Sequence, residues 1–150
     1  MNDTERAHAA TVRAYFDACN TGDGPAMRAT LAPEVVHYFL APEFPPVRGA
    51  DELVAYWARY LRSVKPWWTI DRLLAQGDEL VSEWSCAWSP PGTSHRLMAR
   101  GTEWYRMRDG LIAEVRAYFI ASRETSTELA GFPYGERGYA RLQAASPAAR

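Results

Sequence analysis

Four consecutive strand-like segments between residues 68 and 121 constrain the fold of this 150-residue chain more than any other feature. Apolar and polar residues alternate along each of them, as in a strand with one buried face. The segments are residues 68–75, 79–89, 96–107 and 111–121, separated by Gly77-Asp78, by SPPGTS at 89–94 and by Arg108-Asp109-Gly110. Because such short connections join neighbouring strands that run in opposite directions, the pattern predicts an antiparallel meander.

Helical patterns precede these strands. Apolar residues recur at helical spacing over residues 4–20, and a second short helix begins at Gly24-Pro25 and runs to about Leu31. The strand-like EVVHYFL at 34–40 and a proline-rich loop lead to a third helix over residues 51–65. Helices first and strands afterwards are typical of an α+β fold in which helices pack on one face of a curved sheet.

Glu103 is an acidic residue on the apolar face of the predicted strand 96–107, which it shares with Gly101 and Tyr105. A carboxyl group in such a place must be paired, kept neutral, or used in chemistry. Glu103 is therefore a candidate functional residue. The alternative is a buried carboxyl that an arginine or backbone groups satisfy, with a role in packing alone.

Aromatic residues make up 13% of the chain, more than a core of this size requires. Alternation places Trp84, Trp88 and Phe119 on inward faces of their strands, and Trp57 and Tyr60 lie on the apolar stripe of the third helix. This arrangement predicts either a dense aromatic core or an apolar cavity for a ring-bearing ligand.

The opposite faces of the same strands alternate charged residues with large aromatic ones. Arg100, Trp104, Arg106, Arg116 and Tyr118 fall on this outer face. Such a surface suits a two-fold interface, so we predict a homodimer through the open sheet face. The alternative is a sheet face that is simply solvated.

Composition argues against several classes of partner and site. A net charge of −1 gives no reason to expect nucleic acid or a membrane as partner, and no apolar run reaches the roughly 20 residues of a membrane helix. Without a signal peptide, reduced thiols at Cys19 and Cys86 and a cytoplasmic location are expected. The cysteine spacing, three histidines and unclustered carboxylates predict no metal site, and nothing in the sequence calls for a cofactor.

Three segments, together with the order of the predicted elements, carry a resemblance to a known family. They are VRAYFDACNTGD at 12–23, VRGADELVAYW at 47–57 and GTEWYRMRDGLIAEVRAYF at 101–119. The resemblance is to the nuclear transport factor 2-like fold, a cone-shaped α+β fold, and within it to the SnoaL-like and ketosteroid isomerase-like branch. It implies one domain over residues 1–122, with three N-terminal helices packed on a curved antiparallel sheet. Residues 123–150 are predicted to be an extension that docks on this domain and frays at its end.

Carried over residue by residue, the resemblance to ketosteroid isomerase is partial. Tyr15 lies where that family has its oxyanion-hole tyrosine, and Glu103 lies where it keeps a protonated aspartic acid. The catalytic base would fall at Phe39, which accepts no proton, and His37 is the nearest titratable replacement. We therefore predict Tyr15, His37 and Glu103 as catalytic residues. The predicted substrate-binding residues are Phe16, Phe39, Trp57, Tyr60, Trp84, Trp88, Tyr105 and Phe119.

These residues predict a small cofactor-independent enzyme that transfers protons next to the carbonyl group of an apolar, cyclic or polyketide-like molecule. The reaction would be an isomerisation, an aldol-type cyclisation or an elimination of water. Tyr15 and Glu103 would polarise the carbonyl oxygen while His37 moves the proton. The alternative is a ligand-binding or accessory protein with the same cavity and no chemistry. Epoxide hydrolysis ranks third, because it needs several carboxylates and an arginine around a water molecule.

Overall fold

The computed structural model describes residues 1–142, and this part of the chain contains three helices and six strands. They follow one another as α1 (Asp3–Thr21), α2 (Gly24–Ala29), β1 (Leu31–Phe39), β2 (Val47–Arg48), α3 (Ala50–Val64), β3 (Trp67–Gln76), β4 (Glu79–Trp88), β5 (Leu97–Arg108) and β6 (Leu111–Phe119). The predicted mixed α+β class is confirmed. No helix within the described residues is both long and apolar enough to cross a membrane.

The strands of residues 1–142 form one sheet in the order β2-β1-β6-β5-β4-β3. Strands β3 to β6 pair in the predicted antiparallel meander. The turn between β5 and β6 has two residues, and both Asp109 and Gly110 have the positive φ angles that such tight hairpins need. The alternation of apolar and polar residues therefore predicted the pairing of four of the six strands in this sheet.

Strand β1 corrects the prediction of a wholly antiparallel sheet, because it pairs with β6 in parallel. Two strands can run in parallel only when a long connection brings the chain back to the same end. Here α3 and strands β3 to β5 supply that connection. Strand β2 was not predicted: it has two residues, lies in the proline-rich loop and pairs with β1 at the sheet edge.

The apolar core lies between the inner face of the sheet and the helices. Helix α1 packs mainly on β3, and α3 packs on β1 and β2. Val12 on α1, Leu53 on α3 and Val115 on β6 are completely buried in this core. The core leaves a gap beside α3, where large aromatic side chains replace aliphatic ones, and that gap holds the candidate site.

Residues 123–142 return to the outer face of the sheet. Thr127 donates to and accepts from the backbone of β5, where β6 has ended. Beyond it, the Arg100 guanidinium donates to Glu128 and to the carbonyl oxygen of Ala140, and Tyr134 lies on its face at 3.9 Å. This segment covers part of the face on which a homodimer was predicted. The predicted frayed end of the chain lies outside the described residues.

Candidate active site

A cavity of about 300 Å³ lies between α3 and the inner face of the sheet. Its volume is at the lower end of the range for small-molecule sites. Nine of its lining side chains are aromatic. Those that the sequence predicted are Phe39, Trp57, Tyr60, Trp84, Trp88 and Phe119. The cavity is thus built from the inward aromatic positions of β1, α3, β4 and β6.

Three further aromatic residues line the cavity but were not predicted: Phe44, Tyr56 and Trp68. Trp68 lies on the inner face of β3, opposite Cys86, so the alternation of that strand was a usable signal. Tyr56 is adjacent to Trp57 on α3, at the edge of the apolar stripe. Phe44 lies in the proline-rich loop, where no periodic pattern assigns a side chain to a face.

Glu103 reaches this cavity from the inner face of β5. Its side chain is about nine-tenths buried. The Tyr105 hydroxyl donates a hydrogen bond of 2.5 Å to Oε2 of Glu103. Having given up its single proton there, Tyr105 accepts in turn from Ser82 Oγ at 3.1 Å. Burial raises the pKa of Glu103 to about 7, against the hydrogen bond from Tyr105, which lowers it.

His37 lies behind Glu103 on the inner face of β1, which β6 separates from β5. Its Nε2 is 3.9 Å from Oε1 of Glu103, and its ring stacks on Phe39 with centroids 4.4 Å apart. Neither ring nitrogen has a hydrogen-bond partner among the described residues. Burial lowers the pKa of His37 to about 3, so the imidazole is neutral. His37 does not line the cavity, and any effect it has on a ligand passes through Glu103.

Tyr15 is buried on α1, and its hydroxyl oxygen accepts a hydrogen bond of 2.6 Å from Trp57 Nε1. Burial, and then the nearby Cys19 and Glu103, raise the pKa of Tyr15. The side chain does not line the cavity. The role of Tyr15 as an oxyanion donor stays a prediction. The buried position of its hydroxyl, away from the cavity wall, does not favour that role.

Two predicted substrate-binding residues also lie away from the cavity wall. Phe16 packs edge-on against Tyr15 within the core. Tyr105 is completely buried and its hydroxyl holds Glu103. In this arrangement Tyr105 positions a carboxyl group rather than a ligand.

The titratable groups around Glu103 leave it as the one that changes charge near neutral pH. Burial raises the pKa values of Tyr15, Tyr105 and Cys19, and that of Cys86 in the cavity wall, so these groups keep their protons. Glu103 can therefore accept a proton as a carboxylate or donate one as an acid. No cluster of three or more metal-ligating side chains occurs within residues 1–142.

Comparison with known proteins agrees with this architecture. A solved structure from Methylobium petroleophilum PM1, a protein of unknown function with a cystatin-like fold, is 30% identical and has a TM-score of 0.70. The match covers 96% of this chain and 97% of that one. No curated protein matches the sequence.

Two more distant structures share the fold. An LEH-like epoxide hydrolase from M. tuberculosis is 22% identical, with a TM-score of 0.69 over 77% of this chain and 84% of that one. A putative SnoaL-like polyketide cyclase from Jannaschia sp. CCS1 is 18% identical, with a TM-score of 0.68 over 79% and 89%. The model of the SnoaL-like domain family matches residues 12–115, from α1 into β6. Since this match covers most of the chain, the protein belongs to the SnoaL-like family.

Proposed function

We propose that this protein is a cofactor-independent enzyme that transfers a proton to or from a small cyclic carbonyl compound bound in the aromatic cavity. The observation that carries the proposal is the position of Glu103. It is a buried carboxyl that reaches the cavity, and its pKa lies near 7. A general acid or base works best when its pKa is close to the working pH, because both protonation states are then populated.

The chemistry follows from a single carboxyl group used twice. In its ionised form, Glu103 takes a proton from the carbon next to the carbonyl group, and the electron pair moves to the carbonyl oxygen as an enolate. In a β,γ-unsaturated ketone the carbon–carbon double bond then shifts to the α,β position as the protonated carboxyl returns the proton to the γ carbon, which completes an isomerisation. If a hydroxyl group leaves instead, it takes the proton and departs as water.

Tyr105 and His37 support Glu103 from opposite sides in this proposal. Tyr105 fixes one carboxyl oxygen, so Oε1 is the oxygen left to exchange the proton. The neutral imidazole of His37 is 3.9 Å from Oε1, beyond hydrogen-bond distance, and adds no charge that would hold the carboxyl ionised. In this proposal Glu103 moves the proton, and His37, which was predicted to move it, does not line the cavity.

The experiment measures exchange of ketone α-protons for deuterium by NMR, with a panel of small cyclic ketones in deuterated buffer. We expect catalysed exchange with the wild type, and a loss of about 100-fold or more in Glu103→Gln. Glu52→Gln is the matched control, because Glu52 is exposed on α3 and does not line the cavity. Equal exchange by wild type and Glu103→Gln would contradict the proposal.

A second candidate function is ligand binding without chemistry. It is favoured by the placement of Tyr15 and His37, because neither of these two predicted partners of Glu103 lines the cavity. Calorimetry with the same ketones separates the two functions, since a binding protein would take up a ketone without exchanging its protons. Epoxide hydrolysis ranks lower because no arginine lines the cavity in the described part of the chain.

We also propose that two copies pair through the part of the outer sheet face that residues 123–142 leave open. Trp104 and Tyr118 are 42% and 47% exposed there, beside the ion pairs of Arg116 with Glu79 and Glu114. Light scattering of the wild type is expected to give the mass of a dimer. Trp104→Glu should shift it to a monomer, and a monomeric wild type would contradict the proposal.

A further inference from the structure

The charged groups of the cavity wall are of one sign. Glu103 lies buried within it and Glu43 lies exposed at its mouth. No lysine, arginine or histidine lines this wall in residues 1–142. An anionic ligand would lose its hydration here without gaining a positively charged partner, and it would face carboxyl groups. The wall therefore disfavours carboxylates and phosphates.

Tyr60 lies within 29° of parallel to Tyr56 and Trp68, with both centroid distances 6.3 Å, but other rings of the wall meet at corners. Trp57 is nearly perpendicular to Tyr60 and to Trp68, at 78° and 79°, with both centroid distances 5.5 Å. Trp84 and Phe119 meet at 65° on another side. A flat polycyclic ligand needs parallel walls, whereas a corner of rings suits a compact, rounded group.

From these two features we infer that the cavity selects a cationic ligand, a small molecule that carries a tertiary or quaternary ammonium group. Aromatic rings present negative potential at their faces, and tryptophan attracts cations best among them. A rounded ammonium group matches the corners of the wall, and the buried carboxyl supplies the counter-charge. The inference rests on the proposed function only in taking this cavity as the ligand site, and it narrows the substrate to a cyclic aminoketone.

Binding of a cation should change the protonation of Glu103. A positive charge beside a carboxyl group favours its ionised form, so a fraction of the protein releases a proton when the ligand binds. The other titratable groups that face Glu103 are Tyr15 and Cys19 on α1, His37 on β1, Cys86 on β4 and Tyr105 on β5. All of them are neutral near pH 7, so the released proton comes from Glu103.

The test compares three probes of nearly equal shape by titration calorimetry. They are choline, its neutral isostere 3,3-dimethyl-1-butanol, and the anion 3,3-dimethylbutanoate. We expect choline to bind roughly tenfold more tightly than the neutral alcohol, and the anion not to bind. Choline binding near pH 7 should release protons, seen as a heat that depends on the ionisation enthalpy of the buffer. Glu103→Gln should abolish that release.

Two neighbouring tryptophans provide matched variants. Trp68 lines the cavity, while Trp67 packs on the other face of β3 beside Ala87 and Met98. Trp68→Leu should reduce the preference for choline over the neutral alcohol, and Trp67→Leu should leave it unchanged. Glu43→Gln, at an exposed position, should weaken choline binding without touching the core.

Three outcomes would overturn the inference: equal binding of the alcohol and choline, tighter binding of the anion, or no saturable binding of any probe at millimolar concentration. The proton-exchange experiment uses neutral ketones and the cationic cyclic aminoketone 1-methyl-4-piperidone, so the two proposals fail separately. Exchange without a preference for choline would overturn this inference alone. Choline binding without exchange of any ketone would overturn the proposed chemistry alone.

Discussion

Tyr105 and Glu103, two residues apart on the inner face of β5, are joined by a hydrogen bond of 2.5 Å from the tyrosine hydroxyl to Oε2. Successive inward positions of a strand point in the same direction, which is how a short carboxyl side chain meets a tyrosine of its own strand. The bond holds one carboxyl oxygen in the buried cluster with Ser82. The other oxygen, Oε1, makes no bond to Tyr105 and is 3.9 Å from Nε2 of His37.

Replacement of Tyr105 by phenylalanine should therefore raise the pKa of Glu103 above 7. In the wild type, the hydrogen bond from Tyr105 favours the ionised carboxylate. Without that bond, burial alone sets the pKa of Glu103. Carboxyl carbon NMR across a pH titration would measure the shift directly. Tyr118→Phe on the outer face should leave the titration unchanged. A Glu103 pKa that falls in Tyr105→Phe would show that this hydrogen bond does not stabilise the carboxylate.

The stability of the protein should fall as the pH rises through the range in which Glu103 titrates. Its pKa is raised from 4.5 to about 7 on folding, so between these values the folded protein holds a proton that the unfolded chain has released. The free energy of unfolding then decreases with pH, by about 1.4 kcal/mol per unit and on the order of 3 kcal/mol in all. Denaturant unfolding of the wild type and of Glu103→Gln, compared at each pH, isolates this contribution.

His37 has the opposite effect on how stability changes with pH, and the comparison of wild type with Glu103→Gln must separate the contributions of the two residues. Its pKa falls from 6.5 to about 3 on folding, so the unfolded chain binds a proton first as the pH drops. The contribution of His37 to stability is lost as the pH falls from 6.5 towards 3. The Glu103→Gln variant keeps the pH dependence of stability that His37 causes and loses the one that Glu103 causes. A difference between wild type and Glu103→Gln that does not vary between pH 4.5 and 7 would contradict the raised pKa of Glu103.

The meander and the position of Glu103 were predictable for the same physical reason. Side chains alternate strictly along a strand, so one inward residue fixes all the others, and Glu103 had to share its face with Tyr105. The parallel pairing of β1 with β6 was not predictable from local pattern, because it joins segments about 80 residues apart. Periodicity reports which face of an element is buried, and it does not report which neighbour that face meets.

The same limit explains the catalytic prediction for Tyr15. Helical spacing correctly placed this residue on the buried face of α1. The direction of its hydroxyl depends on Trp57, which belongs to another helix and provides the hydrogen bond. Phe16, the next residue, points to a different part of the core because successive helical residues are about 100° apart. Only the assembled fold separates residues of the core from residues of the cavity wall.

Gly101 controls the shape of that wall through Trp84. A Cβ atom at residue 101 would lie 2.7 Å from Cη2 of Trp84 and 2.8 Å from Cβ of Phe119. Gly101→Ala should therefore displace the indole ring, lower the free energy of unfolding by about 1–3 kcal/mol and weaken probe binding. Thermal unfolding and calorimetry measure both effects. The double variant with Trp84→Phe should recover part of the lost stability, since the smaller ring frees the space. If no stability is recovered, the steric clash of the new Cβ atom is with Phe119 rather than with Trp84.

Arg100 should control whether residues 123–142 stay on the outer sheet face. Its guanidinium donates to Glu128 at 2.9 Å and to the carbonyl oxygen of Ala140 at 2.7 Å, and its side chain is 12% exposed. Arg100→Gln removes charged hydrogen bonds and should lower the free energy of unfolding by about 2 kcal/mol. Faster tryptic cleavage after Arg137 would report the release of the segment. Arg106→Gln is the matched control, because Arg106 is largely exposed and approaches Glu114 only to 3.8 Å. If cleavage after Arg137 is equally slow in Arg100→Gln and the wild type, other contacts hold the segment. The hydrogen bond of 2.8 Å from the Ala140 backbone to Asp71 would then be the next one to remove.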